Sequence, residues 1–254
     1  MNNRLHFVTL AVLGMSAVAS AASETCTTAS KATVPAVIEL YTSEGCNSCP
    51  PADQWLSQTV ARVRNVEESN VIPLAFHVDY WDYIGWKDGF AQPAFAQRQS
   101  ALAARGGASA VYTPQVFING KDVRSWRGDA ARLASTGRAL VKFSVTSGWK
   151  GEGAALSLGV TGKLAERAPG VRFRYALTEN GLVSAVKAGE NRGVTLHHDA
   201  VVRATGALVL DASGAFAVNV PVPRTLRQTN SQLHVIAEDA RGNPLAAATV
   251  SCAC

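Results

Sequence analysis

The sequence predicts an α/β domain followed by an all-β, antiparallel, sandwich-like domain. Three observations lead there. Residues 37–141 alternate apolar, strand-like runs with stretches that suit helices. Residues 143–250 are instead short alternating runs punctuated by Gly, Asn and Pro at roughly ten-residue intervals, the signature of an antiparallel sandwich. Between the first strand and the first helix stand two cysteines three apart, Cys46 and Cys49. The expected division is a leader over 1–21, the α/β domain over 22–141 and the β domain over 142–254, with the boundary near Lys142.

The leader expectation rests on Arg4 as a positive end, the apolar stretch Phe7–Gly14 with Met15, and Ala19-Ser20-Ala21 as a small-x-small cleavage site. The apolar run is too short for a membrane span of about 20 residues. Ser23-Glu24-Thr25 before Cys26 does not suit lipidation. The expectation is an exported protein, periplasmic or secreted, with no membrane attachment after cleavage and an oxidising destination where disulfides persist. Loss of 21 residues from 254 leaves about 233, and the net charge falls from +5 to +4. There is no Lys/Arg cluster and no basic stripe with interleaved aromatics, so nucleic acid is not an expected partner. Both methionines, Met1 and Met15, lie in the leader, so the mature chain offers no thioether ligand for Cu(I).

Taken in order, Val37–Tyr41 reads as strand one and Cys49–Arg64 as helix one. Pro50 and Pro51 fit a helix's first turn, where a missing N–H has no partner to lose. Val71–Val78 is strand two and Phe90–Ala104 helix two, with Ala91, Phe95 and Leu102 on its apolar side. Gln115–Ile118 is strand three, Asn119-Gly120 a strong hairpin signal, and Lys121–Trp126 strand four. Asp129–Val141 reads as a last helix. Strand, tight turn, Cys46-Asn47-Ser48-Cys49, helix puts Cys46 at a helix N-terminus, where the macrodipole and free N–H groups favour a thiolate. A thiolate with a second thiol in reach is the equipment of thiol–disulfide exchange, Cys46 attacking and Cys49 resolving. Half a zinc site and a quiet structural disulfide are the competing readings. Zinc needs two further ligands, and Cys252-Ala253-Cys254 is the one candidate pair.

The order β-α-β-α-β-β-α with this motif resembles the thioredoxin fold. Thr113-Pro114 sits just before strand three, where thioredoxin-like proteins carry a cis proline facing the sulfurs. The stretches E-L-Y-T-S-E-G-C-N-S-C-P-P-A-D, H-V-D-Y-W-D-Y-I-G-W-K-D, Y-T-P-Q-V-F-I-N-G and E-N-R-G-V-T-L-H-H-D-A-V-V-R resemble a family of secreted bacterial proteins, catalogued as a thioredoxin-like domain of unknown function. Gly89 stands where that family carries a proline, a departure at the start of helix two. Glu39 interrupts a strand expected to be buried, where desolvation raises a carboxyl pKa. In thioredoxin-like enzymes an acid beneath the C-x-x-C takes the proton of the second cysteine, and the resemblance gives that role to Glu39. An edge-facing or ion-paired glutamate is the competing reading.

His77–Trp86 is an unusually aromatic connection. Tyr80, Trp81 and Trp86 are candidates to line a substrate groove, or else to cap the core. His77 and Asp79 share a strand face at period two; a hydrogen-bonded core histidine is preferred over a metal or proton-transfer pair. In the second half Ser184 and Ser213 lack the partners of a hydrolase nucleophile. Glu190-Asn191-Arg192-Gly193 and His197-His198-Asp199 form its polar cluster, read as packing against the first half rather than as a metal site. Of the five cysteines, Cys26, Cys252 and Cys254 remain. Cys26 could pair with either of the others, or Cys252 with Cys254. The chain is thus expected to be a thiol–disulfide oxidoreductase acting on polypeptide or small-molecule thiols and disulfides, with no cofactor and no metal. The alternatives are a non-catalytic binding protein and a copper or zinc carrier.

Overall fold

The computed structural model describes residues 25–62, 70–108, 110–127, 137–151 and 156–252. In chain order its elements are β1 (Thr25–Ala29), β2 (Ala36–Thr42), α1 (Pro50–Arg62), β3 (Val71–His77), α2 (Pro93–Arg105), β4 (Gln115–Ile118), β5 (Lys121–Asp122), β6 (Phe143–Lys150), β7 (Ser157–Leu164), β8 (Arg172–Glu179), β9 (Leu182–Ala185), β10 (Thr195–His198), β11 (Val201–Leu208), β12 (Ala215–Pro221), β13 (Ser231–Glu238) and β14 (Pro244–Ser251). Helix α1 starts on its two prolines, carries Asp53 in its first turn and Arg62 in its last, and so complements its own dipole. Helix α2 begins at Pro93, three residues after the expected Phe90. The residue before a proline is kept out of the helical region, and Gln92 is extended (φ −139°, ψ 137°). Asn119 and Gly120 make the β4–β5 turn with φ of 50° and 77°. Strand β5 is only two residues long. Of the expected last helix, residues 128–136 lie outside the described residues, and Arg138 forms an isolated bridge with Thr33.

An α/β thioredoxin-like domain followed by a separate β domain is not what these elements build. Among the described residues strand accounts for 43% and helix for 16%. One eight-stranded mixed sheet, in the order β14-β13-β8-β11-β3-β2-β4-β5, takes four strands from each side of Lys142. The join is β11 against β3, parallel, at Val201 opposite Ala75, with the Ala75 N–H bonded to the Ala200 carbonyl at 2.8 Å. Strands β2 and β3 are also parallel; the remaining five pairs in the sheet are antiparallel.

Helix α2 lies on one face of this sheet. Phe95 and Leu102 pack there with Tyr41 and Phe76 of the first half and with Ala176, Val202, Ile236 and Ala247 of the second. The other face is shared. Helix α1 covers it at the β2–β4 end through Ala52 and Leu56 against Ile38, Leu40 and Val116. A four-stranded antiparallel sheet, β1-β6-β7-β12, covers the rest, packing Val145, Val160 and Phe216 against Phe173, Leu177, Leu233 and Val250. Among the described residues no helix is long and apolar enough to cross a membrane.

The physical reason for the correction lies in the polar residues of the second half. An alternating pattern normally marks a strand with one solvated face. Here Arg174, His234 and Glu238 occupy the α2 face, Glu179 and Arg203 meet at the end of β8 and β11, and all five are buried all the same. The charged ones are neutralised in place, Arg203 by Glu179 at 2.5 Å and Arg174 by Glu238 at 2.5 Å and Glu39 at 2.9 Å, and His234 bonds Thr178 and Thr249. A doubly covered strand thereby carries the pattern of a half-exposed one.

Candidate functional site

Strand β2 ends at Thr42 on the buried seam between sheet and α1, and the chain turns through Ser43-Glu44-Gly45 into the cysteine pair. The Cys46 N–H bonds the Ser43 carbonyl at 3.2 Å, and the Cys49 carbonyl accepts from the N–H groups of Ala52 (2.8 Å) and Asp53 (3.2 Å), so Cys49 leads directly into α1. Cys46 and Cys49 form a disulfide with Cα atoms 5.5 Å apart. Both residues are 0% exposed. Ser48 Oγ lies 3.3 Å from Cys46 Sγ. Gly45 is required by close approach: a Cβ there would stand 3.1 Å from Trp81 Cβ and 3.2 Å from Ile84 Cδ1.

The three aromatic candidates turn their polar atoms inward. The Trp81 indole N–H donates to Thr113 Oγ1 at 2.7 Å, Trp86 donates to Glu44 Oε2 at 2.7 Å, and the Tyr80 hydroxyl donates to Gln99 Oε1 at 3.2 Å. The Thr113-Pro114 bond is cis. Trp81 thus links Thr113 to the backbone of Gly45 beside the cysteines.

Glu39 is elsewhere. Side chains alternate along β2, so Ile38 and Leu40 face α1 while Val37, Glu39 and Tyr41 face α2. Glu39 is buried on the α2 face, accepting from Arg98 Nε (2.8 Å) and Nη2 (2.6 Å), Arg174 Nη2 (2.9 Å) and the Tyr41 hydroxyl (2.8 Å). Burial pushes its pKa up, but the two guanidiniums outweigh it and hold the carboxyl down at about 2. The expected raised pKa is therefore reversed, and a carboxylate so firmly ionised is a poor proton acceptor.

The acid on the cysteine side is Asp53. It sits four residues beyond Cys49 on α1, the spacing that stacks side chains on one helix face. It is buried, its Oδ2 accepts from Thr42 Oγ1 at 3.1 Å, and desolvation raises its pKa against the opposing pull of His198 and His77. The His77 Nδ1 lies 2.7 Å from Asp88 Oδ2, so its carboxylate partner is Asp88, not Asp79. Burial works against the imidazolium, but the Asp88 carboxylate prevails and raises the His77 pKa, while His77 in return lowers that of Asp88. Asp88 also accepts the Glu44 N–H at 2.9 Å. The His77 and His198 rings meet edge to face, 4.9 Å between centroids.

This pocket of charge is only partly satisfied. Glu44 Oε1, His77 Nε2 and both ring nitrogens of His198 are buried without a hydrogen-bond partner. His198 Nε2 stands 3.4 Å from Glu44 Oε1, within ion-pair range but outside hydrogen-bond geometry. Among the described residues no three His, Cys, Asp or Glu side chains converge as metal ligands do.

The second half closes the site from outside. Asn191 Nδ2 donates to the carbonyls of Glu44 (2.8 Å) and Cys46 (3.0 Å), and Glu190 Oε2 accepts the Asn47 N–H at 3.0 Å. On β10 the neighbours His197 and His198 face opposite ways, the first exposed and the second buried. Of the remaining cysteines, Cys26 is disulfide-bonded, Cys252 is a free thiol buried in the sandwich core, and Cys254 lies outside the described residues. Asp53 is the residue that sequence reading missed, although its spacing from Cys49 was there to be read.

A mixed sheet that buries a C-x-x-C disulfide above a cluster of carboxylates and histidines is the class of molecule defined here. Residues 37–238 match the family described as a protein of unknown function, DUF1223. The chain belongs to that family. Two solved structures share its fold. One is protein AGR_C_4864 from Agrobacterium tumefaciens, 24% identical, with TM-score 0.56 over 87% of this chain and 95% of that one. The other is HBP35 of Porphyromonas gingivalis, 15% identical, with TM-score 0.61 over 87% of this chain and 76% of that one. No curated protein matches the sequence.

Proposed function

We propose that this protein is an exported thiol–disulfide oxidoreductase working through Cys46 and Cys49 on polypeptide or small-molecule thiols and disulfides. The observation that carries the reading is the pair itself: two cysteines closed into a disulfide at the first turn of a helix, with a buried carboxyl of raised pKa one turn further on. In the reducing direction a Cys46 thiolate attacks a partner's disulfide, and one partner sulfur leaves as a thiolate that takes up a proton. Cys49 then gives its proton to Asp53 and displaces the second partner sulfur, restoring the Cys46–Cys49 bond and releasing a dithiol. Asp53 thus takes the role that the resemblance gave to Glu39. Export is supported by the pattern of residues 1–21.

A second reading, a structural disulfide, is favoured by one observation: neither cysteine reaches solvent. The reduction potential of the Cys46–Cys49 couple separates the two. A value below about −300 mV, the range of structural disulfides, would remove the oxidoreductase reading. Under that reading Cys49→Ala accumulates mixed disulfides on Cys46, because the resolving thiol is gone.

A further inference from the structure

We infer that the tip of the β9–β10 hairpin is a latch over the Cys46–Cys49 couple, held by Asn191 and Glu190, and that it lifts before either sulfur reacts. The inference rests on the oxidoreductase reading only in supposing that the couple is used.

Strands β9 and β10 form a two-stranded sheet of their own, hydrogen-bonded to neither large sheet. Between them Lys187, Glu190, Arg192, Gly193 and Val194 are exposed, and Asn191 is the buried polar side chain. That one side chain occupies the Glu44 and Cys46 carbonyls, while Glu190 occupies the Asn47 N–H. These backbone groups flank the cysteine through which a substrate must approach. Gly189, at φ +74°, lies so close to Ile84 that a Cβ would be 3.0 Å from its Cδ1, which seats the tip on the aromatic connection.

The tip keeps its shape without the site. Its backbone bonds are internal: the Val186 N–H to the Val194 carbonyl (3.0 Å), Gly193 to Val186 (2.9 Å), Arg192 to Gly189 (3.3 Å) and Val194 to Asn191 (3.0 Å). Its hydrogen bonds to the cysteine loop use side chains of the tip, Asn191 and Glu190. Lifting it therefore breaks no ladder, and water replaces what Asn191 and Glu190 supplied. Thiol–disulfide exchange needs access to the attacked sulfur, and a fully covered pair has none while the tip is down.

The test is the rate at which dithiothreitol reduces the Cys46–Cys49 bond of the oxidised full chain, with maleimide-labelled thiols located by peptide mass mapping so that the Cys26 disulfide is counted apart. One reagent thiolate attacks Cys46 Sγ and Cys49 leaves, taking up a proton. The reagent's second thiolate then closes on its own sulfur and releases Cys46. Asn191→Ala, lacking two hydrogen bonds, is expected to react about ten- to thirtyfold faster, the opening factor for two ordinary bonds. Asn191→Asp, similar in size but unable to donate, is expected to do the same. Glu190→Gln keeps an acceptor for the Asn47 N–H and is expected to stay near the wild-type rate. Cys252, a free thiol buried in the sandwich core, reports on global loosening. Acceleration at Cys46–Cys49 with Cys252 still protected supports the latch. Equal acceleration at Cys252, or wild-type rates in both Asn191 variants, overturns it. A fast-reducing variant whose couple has a structural potential would leave the latch standing and remove the oxidoreductase reading; wild-type rates beside a catalytic potential would do the reverse.

Discussion

Replacing Glu39 with Gln removes a charge from the centre of a buried network while leaving its shape nearly unchanged. Arg98 and Arg174, from α2 and β8, both donate to this carboxylate, and Glu238 of β13 takes up Arg174 and, at 3.4 Å, Arg98. The Glu39 carboxyl titrates at about 2 against an ordinary 4.5, which corresponds to about 3 kcal/mol of stability at neutral pH. That agrees with the 3–5 kcal/mol typical of breaking a buried pair by removing one partner. The sign follows from the depressed folded pKa: the contribution is complete above the ordinary value and disappears as pH falls through about 2. Urea unfolding of wild type and Glu39→Gln at pH 7 should therefore differ by about 3 kcal/mol, with the gap narrowed to about half by pH 3. Because Glu39 faces α2 and not the cysteines, the reduction rate and potential of the Cys46–Cys49 couple should not change. A pH 7 gap under about 1 kcal/mol, or a shifted pH profile for thiol exchange, would refute the assignment of Glu39 to the ion-pair network.

Asp53→Asn should slow the resolving step by about a hundredfold, the low side of what a general base supplies, in a single-turnover assay near neutral pH. The same substitution should raise stability there, because a carboxyl whose folded pKa is raised destabilises the fold above that pKa; the gain should vanish below about pH 4, the ordinary carboxylate value. His234, buried between Thr178 and Thr249, is held down at about 3 by burial, with Arg174 and Lys31 adding to it. Stability should then fall by roughly 4–5 kcal/mol as pH drops from the ordinary histidine value of 6.5 towards 3, and His234→Gln should flatten that part of the urea-midpoint profile.

Much of the local structure was legible in the residues. Cys46-Asn47-Ser48-Cys49 followed by two prolines announced a turn into a helix, and Asn119-Gly120 announced a hairpin, because each depends on chemistry within a few positions. The sheet was not legible. The parallel join of β11 to β3 involves residues more than a hundred positions apart, and no turn residue encodes it. Arg174, Arg203, His234 and Glu238 also gave the second-half strands the polar alternation of an exposed face, although the arginines and Glu238 are matched by Glu39, Glu179 and each other, and His234 is hydrogen-bonded to Thr178 and Thr249. Glu39 was misplaced for a related reason. A buried acid on the strand before a C-x-x-C was legible, but its face was not, and one residue along a strand separates the α1 side from the α2 side.

The join is also what assembles the site. Strand β11 enters the sheet beside β3, and β10 immediately precedes it, so His198 is delivered to within 4.9 Å, ring centre to ring centre, of His77 at the end of β3. The same placement brings the loop before β10 across the cysteines, where Asn191 meets Glu44 and Cys46. Two separate domains linked near Lys142 would have to align by docking to achieve this; one continuous sheet fixes it by register. The charged seam above α2 fulfils the same requirement on the opposite face, since Arg174 of β8 reaches Glu39 of β2 only when the strands between them are correctly ordered. Buried ion pairs contribute uncertain net stability but penalise wrong pairings heavily. In this protein the pairing they select is the one that puts a second-half histidine and asparagine against a first-half disulfide.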